Sequence, residues 1–279
     1  MPDTTTFALH AWTRPWRILG GFLVIATGLG IVLLIVAILL ATDPPVTPPI
    51  ARQLFLVQVV LPGAAALGVR RLSRAELTID PASLILRTRN RRIDVPRASI
   101  VGFEPWRFPL PGPGVAIRLQ SGRRLAWALE ARDPEALLAA LGAPERAREH
   151  PTVRWGQARA TRPAGRWWRL ALKYPGLAMP FALLFFYTHQ HIAYGGFFGQ
   201  WNLLGWRAWL GTLLEYWTTV VIYFLLWGGC MRGLAEGMAW LTAAVAPRHA
   251  AASRRIAKRL AAIAYVAGIV LATVLRYLA

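Results

Sequence analysis

The stretch Tyr187-Thr188-His189-Gln190-His191 sets two imidazoles two residues apart at the end of an apolar run. On an extended segment residues i and i+2 share a face, and two neutral histidines could then ligate one metal ion. On an α-helix they stand roughly 200° apart and could not. The segment that follows, Ile-Ala-Tyr-Gly-Gly-Phe-Phe-Gly, predicts that the helix ends nearby, so the extended geometry stays open. Zinc needs a third protein ligand for a catalytic site and a fourth for a closed structural one. Glu215 is the one acid expected on the same side of the chain, which makes His189, His191 and Glu215 the candidate metal set. The competing reading is a hydrogen-bonded helix end at a membrane interface. Haem is disfavoured, because bis-histidine ligation draws its two ligands from separate elements.

Three ionisable groups fall in or beside apolar runs: Glu215, Arg232 and Glu236. A carboxylate at such depth needs a partner, and Arg207, Tyr187 and the two histidines are the candidates for Glu215. Arg232 and Glu236 are spaced i, i+4 and are expected to pair on one helix face; the rival role is lining a transport path. No phosphate-binding loop, nucleophile elbow, His-Glu-x-x-His or Cys-x-x-Cys motif occurs, and the single Cys230 rules out an internal disulfide. No catalytic residue and no cofactor are therefore expected.

The elements that would hold these groups are membrane spans. The chain has 279 residues, 56% hydrophobic, with 13 tryptophans and a formal charge of +19. Residues 18–41 carry no charge and are long enough, at about 1.5 Å per residue, to cross about 30 Å of hydrocarbon. The rival reading, a cleaved leader, lacks a convincing cleavage site. Residues 42–50, TDPPVTPPI, cannot continue a helix and predict a turn. Residues 54–69 make a second, shorter run ended by Arg70 and Arg71. Further runs cover 170–187, with Pro175 and Pro180 inside, 208–229 and 260–278. Gly20, Gly21, Gly28 and Gly30 suit close helix packing. With the N-terminus inside, every Lys and Arg except Arg52, Arg207 and Arg276 lies on the cytoplasmic side. Five spans, N-terminus in and C-terminus out, in a bacterial inner membrane, is the topology expected.

Between the second and third runs, residues 73–142 change period. Leu77 and Ile79, Leu84 and Leu86, Ile93 and Val95, then Val115, Ile117 and Leu119, and Leu125, Trp127 and Leu129 alternate as strands do. Thr88-Arg89-Asn90-Arg91 and Gln120-Ser121-Gly122-Arg123 read as turns. Asp133-Pro134-Glu135 opens a short helix as N-cap and first-turn proline, and Gly142 closes it. This order, carried by LTIDPASLILRTRNRRIDVPRASIVGFE (77–104) and DPEALLAALG, resembles the bacterial pleckstrin-homology-like domain. The resemblance covers about 70 residues and implies a fold and a juxtamembrane position without an active site. It breaks at PWRFPLPGPG (105–114), where strands would be expected to continue. The expected fold class is an α-helical transmembrane protein of about five spans with a small α+β pleckstrin-homology-like cytoplasmic insert.

The expected organisation is an N-terminal segment (1–17), a helical hairpin (18–69), the insert (73–142), a basic tryptophan-bearing linker (143–169) and a three-helix region with an aromatic outer loop (170–279). Arg87, Arg89 and Arg91 should share the strand face opposite Leu84 and Leu86, with Arg92 and Arg97 nearby. Such a cluster meets anionic lipid at about 1 kcal/mol per basic group, docks a partner, or is simply solvated. Trp167 and Trp168 read as interfacial anchors. The partners expected are membrane lipids of an anionic leaflet and another membrane protein. Nucleic acid is not expected, since arginines beside a bilayer already have a counter-charge. A non-enzymatic scaffold, assembly or regulatory factor is the leading reading. The alternatives are a transporter or channel component using Glu215, Arg232 and Glu236, and an outer-face membrane enzyme using His189, His191 and Glu215.

Overall fold

The computed structural model describes residues 5–40, 47–160 and 167–278. Most of the turn predicted at 42–50 and part of the linker at 143–169 lie outside them. The chain divides into two compact units, Met1–Gly28 with Val60–Pro163 and Arg232–Ala262, and Leu29–Val59 with Ala164–Met231 and Ile263–Ala279.

The first unit is built on a curled antiparallel sheet. Its strands are β1 (Thr5–Trp12), β2 (Arg74–Ile79), β3 (Ser83–Thr88), β4 (Arg92–Pro96), β5 (Ile100–Pro105), β6 (Gly114–Leu119) and β7 (Ala128–Ala131), in the spatial order β4-β3-β2-β1-β7-β6-β5. The N-terminal segment is thus no tail. Thr5–Trp12 is the central strand, pairing with β2 on one side and β7 on the other. Leu9 and Ala11 point into the same core as Leu77, Leu84, Leu86, Ile117 and Leu129. The insert expected at 73–142 is therefore incomplete without a strand that precedes the membrane hairpin. Strand β7 begins at Ala128, later than the predicted alternation from Leu125; the Leu125 amide still bonds the Ile117 carbonyl across the turn.

Two local predictions hold atom by atom. Thr88 and Arg91 close the β3–β4 hairpin through backbone and hydroxyl bonds. The Asp133 carboxylate accepts from the Glu135 and Ala136 amides, and Gly142 takes the left-handed backbone.

The helices, in chain order, begin with α1 (Arg14–Leu39), α2 (Pro48–Phe55), α3 (Leu61–Leu72), α4 (Pro134–Ala140), α5 (Glu145–Arg148) and α6 (Pro151–Ala160). They continue as α7 (Trp167–Ala171), α8 (Leu177–Tyr194), α9 (Gly199–Leu204), α10 (Trp206–Val245) and α11 (Ala250–Leu278). Single π turns join α2 to α3 and α7 to α8, the second containing Pro175. A proline ring crowds the carbonyl one turn back, and the wider turn relieves that clash. Among the described residues, four helical stretches are long and apolar enough to cross a membrane: Arg14–Leu39, Pro48–Leu72, Trp167–Tyr194 and Trp206–Val245. The fourth runs well beyond the predicted end at 229.

The segment 143–160 is folded rather than a linker. Helix α6 buries Thr152, Val153, Trp155, Gly156 and Ala158, with Trp155 against Ala239, Ala243 and Ala250. The proline-rich stretch 106–113 is a strap. Its Trp106 is buried against Trp12 and Val69, and the Thr152 hydroxyl donates to the Trp106 carbonyl.

In the second unit Ala178 and Ala182 pack on Val220, Phe224, Tyr265 and Ile269. A Cβ at Gly30 would meet the Gln58 carbonyl oxygen at 2.5 Å, so α1 needs its glycine there for the helices to touch.

Candidate anion-binding pocket

The outward face of the sheet carries polar side chains in register. His10 on β1 stands opposite Arg74 on β2 and Glu130 on β7; one step along, Ala8 faces Glu76, which faces Arg87 on β3. Strand alternation that sends Leu9 and Leu77 inward sends these residues outward. Arg70, in the last turn of α3, reaches the same face, and Arg159 arrives from α6. A cavity of about 860 Å³ opens here, lined by Arg70, Arg74, Arg87, Arg89, Arg132 and Arg159 together with His10, Glu76 and Glu130.

Its floor is a closed hydrogen-bond network. Glu130 is 1% exposed, and both its oxygens are occupied. Oε1 accepts from Arg70 Nη2 at 2.6 Å, and Oε2 from Trp12 Nε1 at 2.8 Å. Burial pushes the Glu130 carboxyl above the usual carboxylate value, while the Arg70 guanidinium pulls it back. A Cβ at position 112 would overlap the Glu130 carboxylate, so glycine leaves that carboxylate in place. Replacing Glu130 by Gln keeps the shape but leaves one acceptor oxygen for two donors, Arg70 and Trp12. A loss of about 1–2 kcal/mol of stability is expected in thermal unfolding of the detergent-solubilised protein.

Arg70 Nε donates to His10 Nε2 at 3.3 Å, so that nitrogen is the acceptor. The proton then sits on His10 Nδ1, 3.3 Å from the Ser73 hydroxyl, which itself donates to the Arg70 carbonyl. Burial first, and the neighbouring Arg70 charge second, hold His10 neutral down to about 4. An unfolded imidazole protonates near pH 6.5. Between about 6.5 and 4 the unfolded state therefore binds more protons, and folding stability should fall as pH drops. His10→Gln should flatten that slope relative to the parent. Because the Glu130 carboxyl tilts both proteins alike in the opposite sense, the quantity to compare is the difference in melting temperature at pH 5 and pH 7; equal slopes would refute the assignment.

Of the arginines predicted from alternation, Arg87 and Arg89 line the cavity; Arg91 and Arg92 are exposed and lie outside it. Arg97 instead donates to the Leu141 carbonyl. Arg70, Arg74, Arg132, Arg159, His10 and Glu130 were not anticipated, because they come from five separate elements and the turn after β7. Trp167 and Trp168 are exposed at the start of α7, with Arg169 over the Trp168 ring at 5.5 Å.

The predicted polar sites elsewhere are rearranged. Glu236 pairs with Arg254, through two bonds of 2.6 and 3.1 Å, and with Lys258 at 3.1 Å, not with Arg232. Arg254, 6% exposed, also donates to the Ala158 carbonyl at 2.8 Å, tying α6 to α11. Glu215 is exposed and pairs with Arg52 at 3.4 Å, none of the partners expected. His189 and His191 both lie inside α8, which continues to Tyr194 and ends on left-handed Gly195. The extended geometry that would let them share an ion is not formed. His191 Nδ1 approaches the Tyr187 carbonyl at 3.0 Å, and His189 sits beside the Tyr194 and Tyr216 rings. Among the described residues no group of three or more His, Cys, Asp or Glu is placed to hold a metal ion.

The six-arginine cavity, with three of its guanidinia (Arg74, Arg87 and Arg89) in no ion pair among the described residues, can bind an anion. Comparison with known proteins returns no matching family model, no matching curated protein and no matching solved structure.

Proposed function

We propose that this protein is a non-enzymatic scaffold or regulatory factor of a bacterial inner membrane, whose cytoplasmic sheet docks anionic lipid head groups. One observation carries the reading: six arginines surround one cavity, and one of them, Arg70, ends a helix long and apolar enough to cross the bilayer. Arginine forks match phosphate oxygens, and a helix end at the interface holds them at the depth where those phosphates lie.

Topology supports the same picture. Strands β1 and β2 are paired, so the intervening segment must cross the membrane an even number of times. Two crossings, by α1 and by α2–α3, satisfy this and support reading the short second run as a full span. Arg52 and Glu215, paired at 3.4 Å, would then share the outer side, and the basic residues gather inside. With α11 as the fifth crossing the C-terminus is outside. The strand order and the closing helix α4 favour the pleckstrin-homology-like reading of the sheet, with the membrane hairpin inserted between its first two strands. Another membrane protein as partner fits a scaffold role.

Purified full-length protein in neutral detergent should gain thermal stability from phosphatidylglycerol and not from phosphatidylcholine. Arg74→Glu combined with Arg87→Glu should lose most of that gain. Equal shifts with both lipids would remove the proposal.

A further inference from the structure

The composition of the cavity narrows the anion. Six guanidinia face two carboxylates, Glu76 and Glu130, and the latter is already committed to Arg70 and Trp12. His10 adds no charge, because it accepts from Arg70 and so is neutral. A singly charged phosphodiester would leave most of the charge on Arg74, Arg87 and Arg89 unbalanced. A terminal phosphomonoester carries a charge of about −1.5 to −2 near pH 7 and three acceptor oxygens, enough for several arginine forks at once. Arg74, Arg87 and Arg89 stand exposed on neighbouring strands and a turn, free to turn onto such a group. At about 860 Å³ the cavity exceeds a bare phosphate and falls in the range of sites for small organic ligands, about 300–1,000 Å³.

Resting on the head-group reading above, we infer that the pocket is a phosphomonoester site, its ligand a terminal phosphate on a small organic body, as in phosphatidic acid or a soluble sugar or glycerol phosphate. The two sources share one recognition chemistry. Arg87 and Arg89 supply forks from the open rim, and Arg70, held by Glu130, supplies the fixed positive end.

The test titrates full-length protein in detergent with phosphatidic acid, phosphatidylglycerol, phosphatidylcholine and glycerol 3-phosphate, following binding by calorimetry or native mass spectrometry. Phosphatidic acid should bind at least about tenfold tighter than phosphatidylglycerol at pH 7.5. That ratio should shrink at pH 5, because the second proton of a phosphomonoester returns near pH 6. His10, Glu76 and Glu130 also line the cavity and act on both lipids, so the ratio of the two affinities is compared rather than either affinity alone. Arg87→Ala with Arg89→Ala, both exposed positions, should abolish the preference without lowering the melting temperature. Displacement of phosphatidic acid by millimolar glycerol 3-phosphate supports the site with a soluble source; failure to displace supports it with a lipid source. Equal affinity for the two anionic lipids, lost in the double variant, overturns the phosphomonoester inference and leaves the head-group reading standing. No preference for either over phosphatidylcholine overturns both. A preference that survives the double variant puts the site elsewhere and overturns the inference.

Discussion

A variant lacking residues 5–12 should lose the folded sheet altogether. The deleted strand is hydrogen-bonded on both sides, and it contributes Leu9, Ala11 and Trp12, exposed by 5, 3 and 1%. Burying a large apolar side chain is worth about 1.5–3 kcal/mol. Two such residues, Leu9 and Trp12, with the Ala11 methyl and two ladders of bonds, rival the whole stability of an ordinary domain, about 5–15 kcal/mol. The remaining β2 and β7 would face each other as unpaired edges. Limited proteolysis should then cut throughout 74–160 at concentrations that leave the parent intact. Leu9→Asp should act in the same direction by forcing a charge into the core, and it separates loss of the sheet from any effect of shortening the N-terminus. Parent-like protease resistance in both would mean that β1 is dispensable.

Glu236→Ala should be the most damaging single change among the charged residues. Arg254 is nearly buried, and it would be left with the Ala158 carbonyl alone, while Lys258 would lose its carboxylate as well. Removing one member of a buried ion pair costs about 3–5 kcal/mol, because the survivor keeps its desolvation penalty. Glu236→Gln, which retains an acceptor oxygen for Arg254, should cost less than half as much. Thermal unfolding in detergent measures both. A loss under about 1 kcal/mol for Glu236→Ala would show that the cluster is solvated rather than structural. The same pairing weakens the transport-path reading, since a carboxylate held by two cations is poorly placed to pass a proton or an ion.

How much of this was legible in the sequence depended on distance along the chain. The Thr88–Arg91 hairpin and the Asp133 cap are local and follow from residue type alone. Membrane runs are legible because lipid demands long apolar stretches. Strand β1 was not found, although Phe7, Leu9 and Ala11 alternate. Its neighbours in the sheet lie beyond the hairpin, and eight residues beside a long apolar run read as a flank. Alternation correctly put Arg87 on the outward face, but a register was needed to set it beside Arg70, Arg74 and Arg159. The two expected pairings failed for different reasons: helical spacing offered Glu236 only Arg232 on its own helix, whereas its partners lie on α11, and for Glu215 the candidates left out Arg52, a basic group expected on the same side.

The split between β1 and β2 has a consequence for biosynthesis. The first strand leaves the ribosome before the hairpin does, and if both helices cross as proposed it cannot find β2 until they have entered the bilayer and the chain has returned. If the second helix stalls on the wrong side, β1 is separated from its partners, and the half-made sheet presents bare edges to proteases and chaperones. On that topology, completion of the sheet depends on where the second helix ends, and a copy whose hairpin fails to return lacks its central strand.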